Sequence, residues 1–235
     1  MRQRPTRGIH CVYFISSGKS QVPFLLSDDA IPTLWISLTT DRLTKYLEAN
    51  AGERHDALKH YERNIKLSSA FYAPLQCLEI CFRNQLNHRM LETFGVDWFI
   101  SDRAPLQDDA RRKIAEAITK IGERLKTNSA IVAELSLGFW VSLLVPRYDA
   151  TLWRSGLHRA FQANGRFMKR NDVHGRFNRI RRFRNRVAHH EPIVFMDLAK
   201  AHREMMEAIR WMCPVTADWA EGISTVPQLL EQSTD

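Results

Sequence analysis

Apolar side chains recur along most of this chain at the three- and four-residue spacing that places them on one face of a helix. The stretch 108–126 shows the spacing best, with Ile114, Ile118, Ile121 and Leu125 as its apolar seam. Runs with the period of two that is typical of half-buried strands are absent. The pattern therefore predicts helices over 40–50, 54–72, 74–95, 108–126, 130–144, 149–162, 172–190 and 197–213.

Start and stop signals support these bounds. Thr40 can cap the first helix and Gly52 can stop it, while Pro74 suits the first turn of a helix that ends near Gly95. The sequence predicts an all-α fold, a helical bundle. We expect a poorly structured N-terminal extension over 1–36, a helical domain over 37–213 and a C-terminal tail over 214–235.

Charge indicates what kind of partner this chain meets. The formal net charge is +8 and the pI is near 9.6. An acidic partner follows most simply, and nucleic acid is the commonest, although many basic proteins only carry a solvated basic surface. A membrane partner is disfavoured because no run of eighteen apolar residues could span a bilayer and no basic segment has a clean apolar face.

The four cysteines are Cys11, Cys77, Cys81 and Cys213. None belongs to a CxxC pair or to a Cys/His set with zinc spacing, so we expect no metal and no cofactor. Cys77 and Cys81 are four residues apart on an apolar helix face, which favours buried free thiols and a reducing cytoplasm. The arginines near the N-terminus precede a short apolar run without a cleavage site, so we expect an extension there, not a signal peptide.

The stretch 166–190 is unusually basic. Its only acidic residue is Asp172, against Arg166, Lys169, Arg170, Arg176, Arg179, Arg181, Arg182, Arg184 and Arg186. Like charges three and four residues apart repel one another, and phosphate contacts can recover that cost through counterion release. We expect RNA binding by Arg176, Arg179, Arg181, Arg182 and Arg186.

The same stretch contains the candidate chemistry. Arg184 and Asn185 precede His189 by five and four residues. A guanidinium binds phosphate with two hydrogen bonds, and an imidazole exchanges protons near neutral pH. The catalytic residues we expect are Arg184, Asn185 and His189, with His190 as a secondary candidate.

Helical geometry limits what one copy of this motif can do. At about 100° per residue, Asn185 and His189 share a face, which would let Asn185 orient the imidazole, whereas Arg184 and His189 are about 140° apart. Convergence therefore needs a distorted last turn before Pro192, a long reach by the arginine, or a site assembled from two copies of the chain. A structural role, with Arg184 paired to a core carboxylate and His189 at a helix end, is the alternative.

The segment RFRNRVAHHEPI (182–193) resembles the signature of the Abi-like (abortive infection) proteins of the HEPN superfamily, which carry an arginine and a histidine with four to six residues between them. The stretches 57–84, 134–144 and 147–154 have the same family's appearance, so the resemblance covers about 37–213. It implies a HEPN-type helical bundle with additional helices, frequent homodimers, and metal-independent RNA cleavage in phage defence or toxin–antitoxin settings. Carried over by position, the motif residues are Arg184, Asn185 and His189, with His190 and Glu191 following them.

If the resemblance holds, the RNA 2′-hydroxyl attacks the adjacent phosphorus, His189 transfers a proton and Arg184 neutralises the charge on the phosphate oxygens. One imidazole cannot serve both sides of phosphorus, and a two-fold dimer would supply the second. A partial copy of the motif, Arg83, Asn84 and His88, offers a second imidazole within one chain, although a structural or positioning role is the stronger interpretation there.

The leading hypothesis is an endoribonuclease that acts as a homodimer in the cytoplasm, with RNA as its substrate and a regulatory RNA or an antitoxin as a further partner. Two other hypotheses stay open: a non-catalytic RNA-binding or regulatory module, and a motif that serves only dimer packing. No glycine-rich phosphate loop is present, which disfavours a nucleotide-driven enzyme.

Overall fold

The regular structure of this chain is almost entirely helical, so the all-α prediction is confirmed. The computed structural model describes residues 26–122 and 127–232. Its helices are α1 (Ala30–Leu38), α2 (Thr40–Ala49), α3 (Arg54–Ala70), α4 (Tyr72–Phe94), α5 (Asp108–Ile121), α6 (Asn128–Glu134), α7 (Leu137–Ser142), α8 (Arg170–Ala188), α9 (Leu198–Met212), α10 (Pro214–Ile223) and α11 (Val226–Glu231). Within these ranges the strands are β1 (Gln162–Ala163) and β2 (Arg166–Phe167), an antiparallel pair.

The chain divides into two units, and the division differs from the predicted one. One unit holds the described residues up to Ala57 and the other begins at Leu58. The expected boundary lies between residues 36 and 37 instead. The extension expected over 1–36 is helical near its end, because α1 forms there with Trp35 buried. Residues 1–25 lie outside the described ranges.

In the second unit, α4 is the central helix. Its stripe of Leu75, Leu78, Phe82, Leu86 and Met90 is buried, as the spacing predicts for the first four. The helix packs against α9 and α10, and its C-terminal stop is Gly95, whose φ of 92° suits glycine. A fully buried side chain of this size stabilises the fold by about 1.5–3 kcal/mol, so the stripe fixes α4 firmly.

Two predicted helices differ from the observed structure. The stretch 130–144 breaks after Leu135, and the Ser136 hydroxyl accepts the Phe139 N–H to start α7. The stretch 149–162 forms a single π-helical turn (Asp149–Trp153) and a 3₁₀ turn (Leu157–Ala160), which follow an earlier 3₁₀ turn (Pro146–Tyr148). The strand pair then forms around Asn164 and Gly165, both at positive φ, the dipeptide that favours tight hairpins.

The C-terminal region is also better ordered than predicted. The tail expected over 214–235 contains α10 and α11, and Ala217, Ala220 and Val226 are buried in the core. Helix α5 ends at Ile121, before Gly122 at a φ of 74°. The predicted seam residue Leu125 lies outside the described residues.

Aromatic contacts place α8 beside α4. Phe82 stacks on Phe177 with ring centroids 4.1 Å apart, and Phe71 meets Phe183 edge to face at 4.7 Å. Such pairs add about 0.5–1.5 kcal/mol each beyond the area that they bury. These buried rings pack α8 against α4. Among the described helices, none has the length and apolar character needed to cross a membrane.

Candidate functional site

The predicted motif lies at the C-terminal end of α8. Arg184 and Asn185 are half-buried within the helix, and His189 is its exposed C-cap. The helix stays regular up to that residue, because the His189 N–H donates to the Asn185 carbonyl at 2.9 Å. The helix distortion that would let Arg184 and His189 converge is therefore not present before His189. The backbone leaves the two side chains about 140° apart around the helix axis.

The helix ends in a Schellman motif with a histidine at its left-handed position. His190 has a φ of 56°, its N–H donates to the Val187 carbonyl at 3.1 Å, and the Glu191 N–H donates to the Arg186 carbonyl at 2.9 Å. Glycine usually occupies this position because a side chain there costs about 1–2 kcal/mol. His190 therefore has a backbone role at the site, the termination of α8.

A groove of about 350 Å³ lies between the exposed face of α4 and the end of α8. It brings together Arg83 and Arg184, the arginines of the two motif copies. The Arg184 Nε lies 3.4 Å from Glu79 Oε2, so the groove holds two guanidinium groups and one carboxylate. Its walls are otherwise mostly apolar: Tyr72, Leu75, Gln76, Ile80, Val187 and Ala188.

His189 follows the wall residue Ala188 but does not itself line this groove. No hydrogen bond or ion pair holds its ring within the described ranges, and its link to Asn185 runs through the backbone. The expectation that the Asn185 side chain orients the imidazole is thus not realised in this arrangement. The His189 ring lies at the helix surface.

The five arginines expected to bind RNA fall into two groups. Arg176 is mostly buried: its Nη1 lies 2.8 Å from Glu207 Oε2 and its guanidinium lies over the Trp211 ring. Arg179 pairs with Glu204, and Arg181 donates to Asn178 within α8. Arg176 and Arg179 thus link α8 to α9, and Arg181 bonds within α8 itself.

Arg182 and Arg186 form the second group and are exposed, as is Arg179, whose side chain is 55% exposed. Arg182 has no hydrogen bond or ion pair with any described residue, and the Arg186 Nε is 3.8 Å from Glu191 Oε2. At about 100° per residue, Arg182, Arg186 and His189 lie within about 60° of one another on α8. We call these three residues the basic stripe.

The second motif copy does not form a site of its own. Arg83 lines the groove, with Nη1 3.5 Å from the Ala133 carbonyl and a buried Nε that lacks a partner within the described ranges. Asn84 lines a different groove, and the His88 Nε2 pairs with Glu92 at 3.1 Å. The structure therefore brings only Arg83 to Arg184.

Two asparagines missed by the sequence analysis position this region. The buried Asn64 accepts the N–H groups of Ile193 and Val194, at 2.8 and 3.1 Å, and so fixes the chain that follows the motif. Asn87 joins Asn128 to the Trp98 indole. The only sequence signal for these two asparagines is an amide side chain within a helix that packs against a loop. Their hydrogen-bond partners are too distant in sequence to be identified from it.

Comparison with known proteins identifies no relative: no protein-family model, no curated protein and no solved structure matches this chain. Among the described residues, no group of three or more His, Cys, Asp or Glu side chains is placed to hold a metal ion.

Proposed function

We propose that this chain is a metal-independent endoribonuclease that cleaves RNA through attack of the 2′-hydroxyl on the adjacent phosphate. The observation that carries the proposal is the groove between α4 and α8. It holds Arg83 and Arg184 on its walls, and His189 comes one residue after its wall residue Ala188. Phosphate-binding guanidinium groups beside an exposed imidazole are the side chains that this reaction needs.

The ion pair of Arg184 with Glu79 is compatible with phosphate binding. Arg184 is 41% exposed, and a pair at that exposure contributes only about 0–1 kcal/mol. A phosphate oxygen offers the same guanidinium a charge-assisted, bidentate contact. Arg184 can therefore exchange Glu79 for the scissile phosphate, while Arg83 binds a second phosphate oxygen or the neighbouring phosphate.

His189 would move the proton. As base it takes the proton of the 2′-hydroxyl, and as acid it protonates the departing 5′-oxygen, each role contributing about 10²- to 10⁴-fold. The products are a 2′,3′-cyclic phosphate and a 5′-hydroxyl. Since base and acid act on opposite sides of phosphorus and His88 is paired with Glu92, the second imidazole comes from a second copy of the chain in a homodimer.

Exposed apolar side chains at the groove support that dimer. Tyr72 is 59% and Ile80 is 38% exposed, and both line the groove. Apolar area next to a charged site is typical of surfaces that associate. Packing two copies through this face would bring both α8 ends to a common seam and remove water from the groove.

The motif's resemblance to the Abi-like HEPN proteins supports, as part of this proposal, a role in the cytoplasm in phage defence or a toxin–antitoxin system. A regulatory RNA or an antitoxin would then restrain it. The basic stripe supplies the electrostatic contact for RNA.

A second candidate function, a non-catalytic RNA-binding or regulatory module, is favoured by one observation. Among the described residues, no side chain orients the imidazole of His189, and Arg184 is already held by Glu79. A catalytic base normally has a partner that fixes its tautomer.

The test compares His189→Ala with Arg182→Ala/Arg186→Ala, using a structured RNA in EDTA. The nuclease proposal expects His189→Ala to lose cleavage by at least about 10²-fold with RNA affinity retained. The double arginine variant should weaken RNA binding and reduce its salt dependence. His88→Ala, an exposed histidine on α4, is the matched control and should cleave normally. Salt-dependent RNA binding without cleavage by the wild type would favour the second candidate.

A further inference from the structure

Three thiols from distant parts of the sequence meet at a second groove, of about 370 Å³. Cys77 and Cys81 reach it from α4, and Cys213 reaches it from the junction of α9 and α10. All three are free cysteines. Thr216 and the exposed Trp219 of α10 complete the open side of this groove, so small reagents have access to it.

Cys213 occupies the position that favours a thiolate. It is the N-cap of the ten-residue α10, where the first N–H groups of the helix and its dipole stabilise negative charge. The Cys213 sulfur makes no N-cap hydrogen bond of standard geometry. The Thr216 hydroxyl, followed by the backbone N–H groups of Thr216 and Val215, nevertheless lowers the pKa of the Cys213 thiol.

Cys81 has the opposite environment. Burial, reinforced by the nearby sulfurs of Cys213 and Cys77, raises the pKa of Cys81 to about 11. Its thiol is therefore protonated near neutral pH and becomes a nucleophile only slowly. Cys81 and Cys213 line the same groove, at the contact between α4 and α10.

Pairing along α4 is less favourable than pairing across the helices. Residues four apart on a helix have Cβ atoms about 5–6 Å apart, whereas a disulfide needs about 3.5–4.5 Å. A Cys77–Cys81 bond would strain α4, and Cys77 is the most buried of the three residues. Cys81 lies on α4 and Cys213 at the start of α10, so no fixed spacing along one helix holds their Cβ atoms apart.

We propose that Cys213 is a redox-modification site that reacts with hydroperoxides and is resolved by Cys81. The Cys213 thiolate attacks the terminal oxygen of the hydroperoxide, the O–O bond breaks, and the alcohol leaves with a proton. The sulfur is oxidised by two electrons to a sulfenic acid. The Cys81 sulfur then attacks it, the S–S bond forms, and the hydroxyl group departs as water with the Cys81 proton. This inference does not depend on the proposed nuclease function.

The two steps differ in rate. The first step needs the Cys213 thiolate, which its position at α10 favours. The second step needs the Cys81 thiolate, which is scarce below a pH of about 11. We therefore expect the sulfenic acid to accumulate at neutral pH and its conversion to the disulfide to accelerate as the pH rises.

The experiment uses the full-length chain with Cys11→Ser as the background, so that only the three grouped thiols react. One equivalent of hydrogen peroxide is added at pH 7 and at pH 9, and peptides are mapped by mass spectrometry without reduction. We expect a Cys81–Cys213 disulfide, formed faster at pH 9. With Cys81→Ser added, dimedone should label Cys213 as the sulfenic acid, and Cys77→Ser, the matched control, should still form the disulfide.

A second readout does not depend on the disulfide. In the unoxidised protein at pH 7, iodoacetamide should modify Cys213 at least about tenfold faster than Cys77 or Cys81, because only the thiolate reacts. Equal rates at the three cysteines would overturn the assignment of Cys213. A Cys77–Cys81 disulfide, or dimedone labelling at a cysteine other than Cys213, would overturn the proposed pathway.

Discussion

Arg184 connects the structural and the proposed chemical roles of the motif. Its guanidinium is 3.4 Å from a Glu79 oxygen and lies in the same groove as Arg83, whose Nε is buried and unpartnered within the described ranges. A single carboxylate thus faces two cations, which leaves the groove with an excess of positive charge. An anion can enter such a site if it replaces Glu79 at Arg184 or binds beside it.

Glu79→Gln should strengthen RNA binding. The substitution removes the carboxylate that competes with phosphate for Arg184, and the release of an exposed ion pair of about 0.2–1 kcal/mol corresponds to a gain of up to about fivefold. The measurement is RNA affinity at fixed, low ionic strength.

The matched control for Glu79→Gln is Glu62→Gln, which breaks an exposed pair with Lys66 and changes the net charge equally. Equal gains for the two variants would mean that net charge alone governs RNA affinity, and the groove would then lose its assigned role.

At the scale of the element, the end of α8 decides where the motif residues lie. The Schellman motif turns the chain away after His189, and Asn64 then binds the backbone of Ile193 and Val194. These contacts hold His189 at the last position of the helix, beside the groove. The backbone conformation of His190 is the strained part of this arrangement.

His190 substitutions should separate backbone strain from chemistry. His190→Gly suits the left-handed conformation and should leave stability within about 1 kcal/mol of the wild type. His190→Val places a β-branched residue at positive φ and should destabilise the protein by about 1–2 kcal/mol or more. Urea unfolding measures both values. A valine variant as stable as the glycine variant would contradict the conformation described for this helix end.

The sequence predicts a helix and its end correctly where one local signal determines them. The 3.6-residue stripe of α4 and the stop at Gly95 are examples. It failed where two local signals compete: Ser136 starts α7 inside an apolar run that reads as one helix. It also failed where the partner is remote, because nothing in the sequence pairs Asn64 with Ile193, or brings Arg83 to Arg184. Arg83 and Arg184 could be identified from the sequence as motif residues, but the groove that both of them line could not.

At the scale of the whole molecule, the groove that would bind RNA is also an exposed apolar surface. Tyr72 and Ile80 line it beside three charged side chains. The proposal therefore links oligomeric state to activity, because the same face supplies the second imidazole and excludes water. Acid sensitivity is also expected of the whole fold, since His202 is buried and His60 and His174 are partly buried.

Ile80→Glu should convert the proposed dimer into a monomer and abolish RNA cleavage together, because a charge at the centre of an apolar interface is poorly solvated there. Light scattering during gel filtration should give about twice the 27.3 kDa chain mass for the wild type and a single chain mass for the variant. Val96→Glu changes an equally apolar and more exposed residue outside the groove and is the control. A wild-type chain that is monomeric at all concentrations and still cleaves RNA would contradict the two-copy site.

Stability should fall as the pH drops below about 6.5. Burial lowers the pKa of His202, with a smaller opposing effect of Glu221, and burial also lowers the pKa values of His60 and His174. The unfolded chain then binds more protons than the folded one in the window below the ordinary histidine pKa, so the stability present above that pKa is lost on acidification.

The urea midpoint at pH 7.5 and at pH 5.5 measures this loss. His202→Gln, which keeps a polar side chain near the Ser224 hydroxyl that lies 2.9 Å from the His202 Nε2, should show a smaller difference between the two pH values. An unchanged or larger difference would mean that His202 does not contribute to the loss of stability at low pH.

The proposed nucleophile is the 2′-hydroxyl of RNA, and cleavage of a strand that contains a single 2′-hydroxyl tests it directly. An oligodeoxynucleotide that contains a single ribonucleotide is incubated with the protein in EDTA, and the ends of the fragments are identified by mass spectrometry. We expect a cut only after the ribonucleotide, leaving a 2′,3′-cyclic phosphate and a 5′-hydroxyl, and no cut by the Arg184→Ala or His189→Ala variant. Cleavage of the all-deoxy strand, or fragments with 5′-phosphate ends, would contradict it.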